Sequence, residues 1–249
     1  INAHETGALE SVGHKCLTLP TSNGKITAKQ VDTLIQEHYS DASSEHTVQP
    51  GIVYISFPTE SGTLYSKQEL TELYTVCQNH NIPLFIDGAR LGYGLVAKKN
   101  DVTFEDIANL CDVCYIGGTK VGALFGECIV FLNDLYKKDF RYAIKQHGGM
   151  LAKGRMLGIQ FEELFKDNRY LTISKHAIDM AEILSEGFQS KGYHFYFPAE
   201  TNQLFPIFEN AKLEELSKEF AFTPWAKIDE THTAVRFVTS FATKRENVE

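Results

Sequence analysis

The sequence lacks the features that would direct it to a membrane or to nucleic acid. No apolar run is long enough to span a bilayer, and no signal-peptide pattern is present. Basic residues are not in excess, because 24 lysines and arginines stand against 32 aspartates and glutamates, a net charge of −8. Since this charge repels phosphate groups, we expect neither a nucleic-acid partner nor a membrane partner.

Cysteine is sparse, and its five residues are odd in number. This pattern indicates reduced thiols in a cytoplasmic protein instead of a disulfide framework. Cys111 and Cys114 form a C-x-x-C pattern, but no second such pair or histidine pair accompanies it, so we expect no metal site. Residues 111–116 are typical of a strand, which would direct the two thiols to opposite faces and favours a structural role for both.

Strand and helix patterns alternate through the first two thirds of the 249 residues. This alternation predicts an α/β fold with a mainly parallel sheet. The predicted helices are 27–38, 66–80 and 103–110, which begin at the capping residues Thr27, Ser66 and Thr103. The predicted strands are 15–20, 51–57, 83–86 and 112–116, with a returning hairpin strand within 121–132 and further helix up to residue 165.

The character of the chain changes near residue 168. A long helix, 172–191, precedes strand-like runs at 193–197, 204–208 and 234–238 and a helix near 213–220. We therefore predict a large domain over 1–167 and a small C-terminal α+β domain over 168–249. The chain also begins at Ile1 instead of methionine, as expected for a piece of a longer protein.

Two short motifs each follow a predicted buried strand. Residues 86–90 read Ile-Asp-Gly-Ala-Arg, and residues 117–120 read Gly-Gly-Thr-Lys. Because open α/β sheets bind ligands at the carboxyl ends of their strands, Asp87 and Lys120 are expected to hold one cofactor from two sides. Pyridoxal phosphate (PLP) needs this combination, since a lysine forms its Schiff base and an acid keeps its pyridine nitrogen protonated.

Simpler interpretations of these residues remain open. Asp87 could be an ordinary turn residue, and Arg90 could pair with a substrate carboxylate or with an acid at the sheet edge. Lys120 could bind phosphate, form a Schiff base or be a surface lysine. The phosphate-loop pattern is absent because Val121 follows the lysine, so the Schiff-base interpretation fits better.

Four motifs in this order carry a family resemblance. They are His-Glu-Thr-Gly-Ala at 4–8, Thr-Glu-x-Gly at 59–62, Asp-Gly-Ala-Arg at 87–90 and Gly-Gly-Thr-Lys-x-Gly at 117–122. They resemble the β-eliminating lyase and threonine aldolase family of PLP enzymes, in particular its bacterial low-specificity L-threonine aldolases. The resemblance implies the aspartate aminotransferase type of fold, and a homodimer or homotetramer.

The resemblance also implies roles for individual residues. Lys120 corresponds to the lysine that carries the cofactor, and Asp87 to the partner of its pyridine nitrogen. Arg90 and Arg236 correspond to the arginines that bind the carboxylate of an amino-acid substrate. Two lobes of the chain would then hold one substrate between them.

Further roles concern the ring, the phosphate and the reacting hydroxyl. Glu5 and Thr6 match the motif near the ring, and Thr119 matches a hydroxyl that contacts the phosphate. Glu60 stands where threonine aldolases carry a histidine for the substrate's β-hydroxyl, so a base role is predicted for it; a buried carboxylate can serve in this way. The family's ring-stacking histidine and its glycine-threonine phosphate cup are expected before Ile1.

The implied activity is a carbon–carbon lyase reaction. A β-hydroxy amino acid such as threonine or allo-threonine would give glycine and an aldehyde. Two alternatives are β-elimination and transamination on the same cofactor. A third is a catalytically silent relative or fragment that acts as an oligomerisation module.

Overall fold

The computed structural model describes residues 1–249, which form two β-sheets and nine α-helices. The helices are α1 (Ala8–Ser11), α2 (Ala28–Ser40), α3 (Lys67–Asn79), α4 (Leu91–Leu95), α5 (Phe104–Asn109), α6 (Phe140–Gln146), α7 (Arg155–Phe165), α8 (Arg169–Ser190) and α9 (Asn210–Leu216). The strands are β1 (Val53–Ser56), β2 (Leu84–Gly88), β3 (Val113–Ile116), β4 (Cys128–Phe131), β5 (Gln203–Leu204), β6 (Ile207–Glu209), β7 (Thr223–Lys227) and β8 (His232–Val238).

The first sheet confirms the predicted α/β fold. Its strand order is β1-β2-β3-β4, in which the first three strands are parallel and β4 returns antiparallel, as the hairpin prediction required. Helices α3 and α5 make the crossovers that parallel neighbours need. In this register Ser56 lies beside Asp87, which lies beside Tyr115, so the carboxyl ends of three strands meet at one edge.

Three helices begin where their capping residues predicted. Thr27, Ser66 and Thr103 each accept a hydrogen bond from the backbone N–H three residues later, and the side chain at that later position accepts from the cap's own N–H. These reciprocal pairs satisfy two of the N–H groups that every helix start leaves without a partner. Local sequence therefore determines the start of α2, α3 and α5.

The main core lies against one face of the first sheet. Alternate strand residues such as Ile55, Leu84 and Ile86 are buried there against helices that include α2, α3, α4 and α8. The other face carries Tyr54, Asp87 and Tyr115, of which Asp87 and Tyr115 are registered neighbours, and all three are only partly buried. The polar side chains of these three residues therefore lie on the face opposite the main core.

The second sheet is antiparallel and follows α8 in the chain. Its order is β5-β8-β6, with β7 also paired to β8. Helix α8 begins at Arg169, close to the predicted boundary, but it packs against α4 of the first part as well as against β5. The division at residue 168 therefore stays a prediction. None of the helices combines the length and apolar character that crossing a membrane would require.

Several local predictions are wrong. Residues 15–20 pair with no strand, and the run 193–197 contributes only a single bridge between Phe195 and Pro206. Helix α4 was not predicted because its two glycines favour no helix; its packing against α8 compensates. Strand β7 was missed because Pro224 interrupts its pattern, whereas an edge position tolerates proline.

The two thiols of the C-x-x-C pattern do not point to opposite faces as predicted. Strand β3 begins at Val113, so Cys111 lies before the strand, and its thiol is close enough to that of Cys114 to have its pKa raised by it. Both thiols are buried, and the Cys111 thiol donates to the Ile107 carbonyl at 3.1 Å. The neighbouring Cys114 thiol and burial raise the pKa of Cys111. No cluster of three or more histidine, cysteine or acidic side chains suitable for a metal ion occurs in the structure.

The stability of the first sheet should depend on the buried face of β2. We expect Ile86→Ala to lower the free energy of unfolding by about 2–5 kcal/mol, because Ile86 is 0% exposed and the substitution leaves a cavity. Ile52→Ala is the matched control, since Ile52 is 56% exposed and should change stability by less than about 0.5 kcal/mol. Urea denaturation of both variants measures the difference, and equal losses would contradict this account of the core.

Candidate active site

Asp87 is the last residue but one of β2, and both of its carboxylate oxygens accept hydrogen bonds. Tyr54 on β1 donates its hydroxyl to Oδ2, and the Ala89 N–H donates to Oδ1 at 2.9 Å. Burial and the hydrogen bond to Asp87 raise the pKa of Tyr54 above its usual value, which keeps the hydroxyl a donor. The Tyr54 ring stacks on Phe85 at 5.3 Å between centroids, so the hydroxyl is held in position.

Lys120 lies in a short 3₁₀ turn just beyond β3. Two buried tyrosines hold this turn: Tyr93 donates to the backbone carbonyl of Lys120, and Tyr170 donates to that of Gly117 at 3.0 Å. Burial raises the pKa of Tyr93 to about 12, so its hydroxyl also remains a donor. The Lys120 side chain is exposed and forms no salt bridge, which leaves its amine available.

The two motif loops touch through glycine. The Gly117 N–H donates to the carbonyl of Gly88 at 2.9 Å, and a side chain at Gly117 would overlap the backbone of Ala89. The predicted convergence of residues 87–90 with 117–120 is therefore found. Only a residue without Cβ permits this approach of the two backbones.

Thr119 has a different partner from the one predicted. Its hydroxyl donates to Glu127 Oε1 at 2.5 Å, and the Gly118 N–H donates to the other oxygen of the same carboxylate. Glu127 thereby joins the lysine turn to the start of the returning hairpin. A phosphate contact of Thr119 stays a prediction.

The first motif lies on an exposed turn before α1. Glu5 and Thr6 are both exposed, and Thr6 adopts a φ of 55°. The charge of Glu5 contributes to the raised pKa of Tyr54 and of Tyr115, so this carboxylate lies near the face that carries Asp87. Thr6 makes no side-chain hydrogen bond to the other site residues, and its contact with the PLP ring stays a prediction.

The second sheet brings Arg236 towards the same edge. Arg236 lies on β8 with its guanidinium 5.5 Å from the Trp225 ring centroid, and its Nη1 donates to Gln203 Oε1 at 3.4 Å. Its Nε is buried without a partner. Burial and the neighbouring charge of Arg90 lower the pKa of Arg236. The guanidinium groups of Arg90, in the loop after β2, and of Arg236, on β8, are therefore close enough to repel each other.

Glu60 forms a salt bridge with Arg90. Arg90 Nη1 and Glu60 Oε1 are 3.0 Å apart, with the arginine side chain 11% exposed and that of Glu60 53% exposed. The negative charge of Glu60 raises the pKa of Arg236 and so offsets part of the effect of burial and of Arg90. The buried setting that the predicted base role requires is therefore absent in this conformation.

The donor set fits PLP at its ring and at its carbonyl. An anchored carboxylate (Asp87) lies near the end of β2, and an available amine (Lys120) lies just beyond the neighbouring parallel strand β3. The Nε of Arg236, on the second sheet, is buried without a partner. Sequence reasoning missed the supporting residues. Tyr54, Tyr93, Tyr170 and Glu127 belong to none of the four motifs, and only the fold brings them to the motif loops.

Comparisons with solved structures define the class of this arrangement. A double mutant of Thermus thermophilus aspartate aminotransferase covers 82% of this chain and 56% of its own, at 15% identity and a TM-score of 0.58, a likeness in fold alone. A Leishmania major threonine aldolase covers 99% of this chain and 71% of its own, at 43% identity and a TM-score of 0.94. The fold is therefore the aspartate aminotransferase type, as the motifs implied.

Sequence comparison assigns the family. Residues 1–211 match the family model of the β-eliminating lyases, and the chain belongs to this family of PLP-dependent lyases. A low specificity L-threonine aldolase of Pseudomonas sp. (strain NCIMB 10558) is 32% identical over 222 residues, which are 87% of this chain. The chain spans 62% of the length of that relative.

Close approach of the two motif loops should be sensitive to one methyl group. We expect Gly117→Ala to lower the free energy of unfolding by about 1–3 kcal/mol, because its Cβ would overlap the Ala89 carbonyl. Gly187→Ala in α8 is the control, since its Cβ meets nothing within 4 Å and helix propensity predicts a gain of up to about 1 kcal/mol. Thermal or urea unfolding compares them, and a neutral Gly117→Ala would refute the tight contact.

Proposed function

We propose that this protein is a PLP-dependent lyase that cleaves the Cα–Cβ bond of a β-hydroxy amino acid such as threonine or allo-threonine. The observation that carries the proposal is the pair of motif loops in contact, one with the Asp87 carboxylate and the other with the Lys120 amine. The threonine aldolases of Pseudomonas and Leishmania among its relatives support the reaction. Its products would be glycine and an aldehyde.

Asp87 and Lys120 would hold the cofactor from two sides. Lys120 would bind it covalently through its free amine, and Asp87 would accept a hydrogen bond from the protonated pyridine nitrogen. When bound, PLP supplies an electron sink for the bond that breaks. Tyr54 contributes by fixing the orientation of the Asp87 carboxylate.

Arg90 and Arg236 would bind the substrate's α-carboxylate. Guanidinium groups recognise carboxylates through paired N–H donors, and two of them approaching from different sheets would fix the direction of the amino acid. The partnerless Nε of Arg236 supports this role. Removal of the substrate's β-hydroxyl proton by Glu60 stays a prediction, and Glu5, Thr6 and Thr119 remain proposed cofactor contacts.

We also propose a homodimer or homotetramer in the cytoplasm. Large apolar side chains are exposed close to the lysine turn, with Leu124 88% exposed and Phe125 45% exposed, and an exposed apolar patch is typical of an interface. The five free cysteines support a reducing compartment. The proposed partners are an amino-acid substrate and further copies of the chain.

Cofactor attachment can be tested at Lys120. The full natural chain supplied with PLP should show a visible absorption band that survives dialysis and disappears on borohydride reduction, with the reduced cofactor recovered on the Lys120 peptide. Lys120→Ala should abolish the band, because Lys120 is the lysine of the turn that follows β3. Lys29→Ala, an exposed lysine on α2, should retain it. A band that persists in Lys120→Ala would refute the assignment.

The reaction type can be tested by product analysis. With L-threonine and with allo-threonine, we expect glycine and acetaldehyde in equal amounts, because the Cα–Cβ bond breaks. A keto acid with free ammonia would indicate β-elimination instead, and a keto acid with amino transfer would indicate transamination. Absence of any turnover in a PLP-loaded protein would favour the silent oligomerisation module.

A further inference from the structure

We infer that Glu60 is an internal competitor for the carboxylate-binding arginines, so that an incoming substrate carboxylate must displace the Glu60 side chain from Arg90. This inference rests on the proposed binding role of Arg90 and Arg236. It makes Glu60 a determinant of affinity for carboxylate ligands.

The geometry matches a carboxylate bound in place of a substrate. Glu60 Oε1 lies 3.0 Å from Arg90 Nη1, the separation of an ordinary charge-assisted hydrogen bond. Glu60 also lies within electrostatic reach of Arg236. A carboxylate group already lies against the guanidinium that the substrate carboxylate needs.

The surrounding loop allows the side chain to leave without moving the backbone. Thr59, Ser61 and Gly62 on either side of Glu60 are buried, and the Gly62 carbonyl accepts a hydrogen bond from the Thr201 hydroxyl at 3.1 Å. The Glu60 side chain itself is 53% exposed. Exposed side chains change rotamer in picoseconds to nanoseconds, so displacement needs only a rotation into solvent.

Charge balance explains why such a competitor is present. Two guanidinium groups that repel each other would otherwise face the same space, with one Nε buried and partnerless. An internal carboxylate reduces this repulsion until a ligand takes over. The substrate carboxylate then binds more weakly than it would without Glu60, because its ion pair with Arg90 replaces the Glu60–Arg90 ion pair.

A matched substitution separates this role from proton transfer. Glu60→Gln keeps the shape but removes the charge, so the competitor becomes weaker. We expect the half-saturating concentration of acetate to fall about two- to fivefold, the range that a half-exposed ion pair predicts. The protein without cofactor can be used, with the fluorescence of its single tryptophan, Trp225, reporting on ligands beside Arg236.

Three controls make the result specific. Glu37→Gln makes the same charge change on the exposed surface of α2 and should leave acetate binding unaltered. Sodium chloride at equal ionic strength corrects for screening. In the PLP-loaded protein, Glu60→Gln should tighten binding of glycine but not of methylamine, which differs from glycine by lacking the carboxylate.

Each outcome has one meaning. Tighter acetate and glycine binding in Glu60→Gln supports the competitor, and it does so for acetate even if no PLP band forms and the proposed lyase function fails. Unchanged or weaker binding overturns the inference, as does the absence of saturable acetate binding in both proteins. Tighter glycine binding with loss of turnover would support the competitor and also the base role of Glu60.

Discussion

Parallel pairing of β1, β2 and β3 is the constraint on which the rest of the structure depends. Parallel strands that are linked by helical crossovers all end at the same edge of the sheet, whatever residues follow them. Asp87 lies near the carboxyl end of β2, and the lysine turn follows β3. Their proximity is therefore a consequence of strand direction and register instead of any direct bond between the two side chains.

Strand direction alone would bring these loops together without fixing their orientation. Precise positioning comes from buried hydroxyl groups that bind backbone or carboxylate oxygens: Tyr54 on Asp87, Tyr93 on Lys120 and Tyr170 on Gly117. A buried hydroxyl that lost its acceptor would be destabilising, so each of these bonds holds both partners in place. These bonds hold the backbone of the lysine turn, whereas the Lys120 side chain is exposed.

Electrostatics links the two sheets across the site. Arg90 follows the first sheet and Arg236 lies on the second, and their mutual repulsion is balanced in part by Glu60. In the proposed function, a carboxylate from outside would replace the internal one. The same residues would then bind an anion when the Glu60 side chain turns into solvent.

The sequence by itself determined the starts of α2, α3 and α5, the alternation of strands and helices, and the two motif loops at the ends of β2 and β3, because capping boxes and apolar runs act over a few residues. Only the tertiary structure decided the partners of those loops. The Glu60–Arg90 salt bridge joins residues 30 positions apart, and the Tyr170–Gly117 hydrogen bond spans 53. Local patterns carry no information on such pairs, whereas the packing of α8 and the strand register fix them in space.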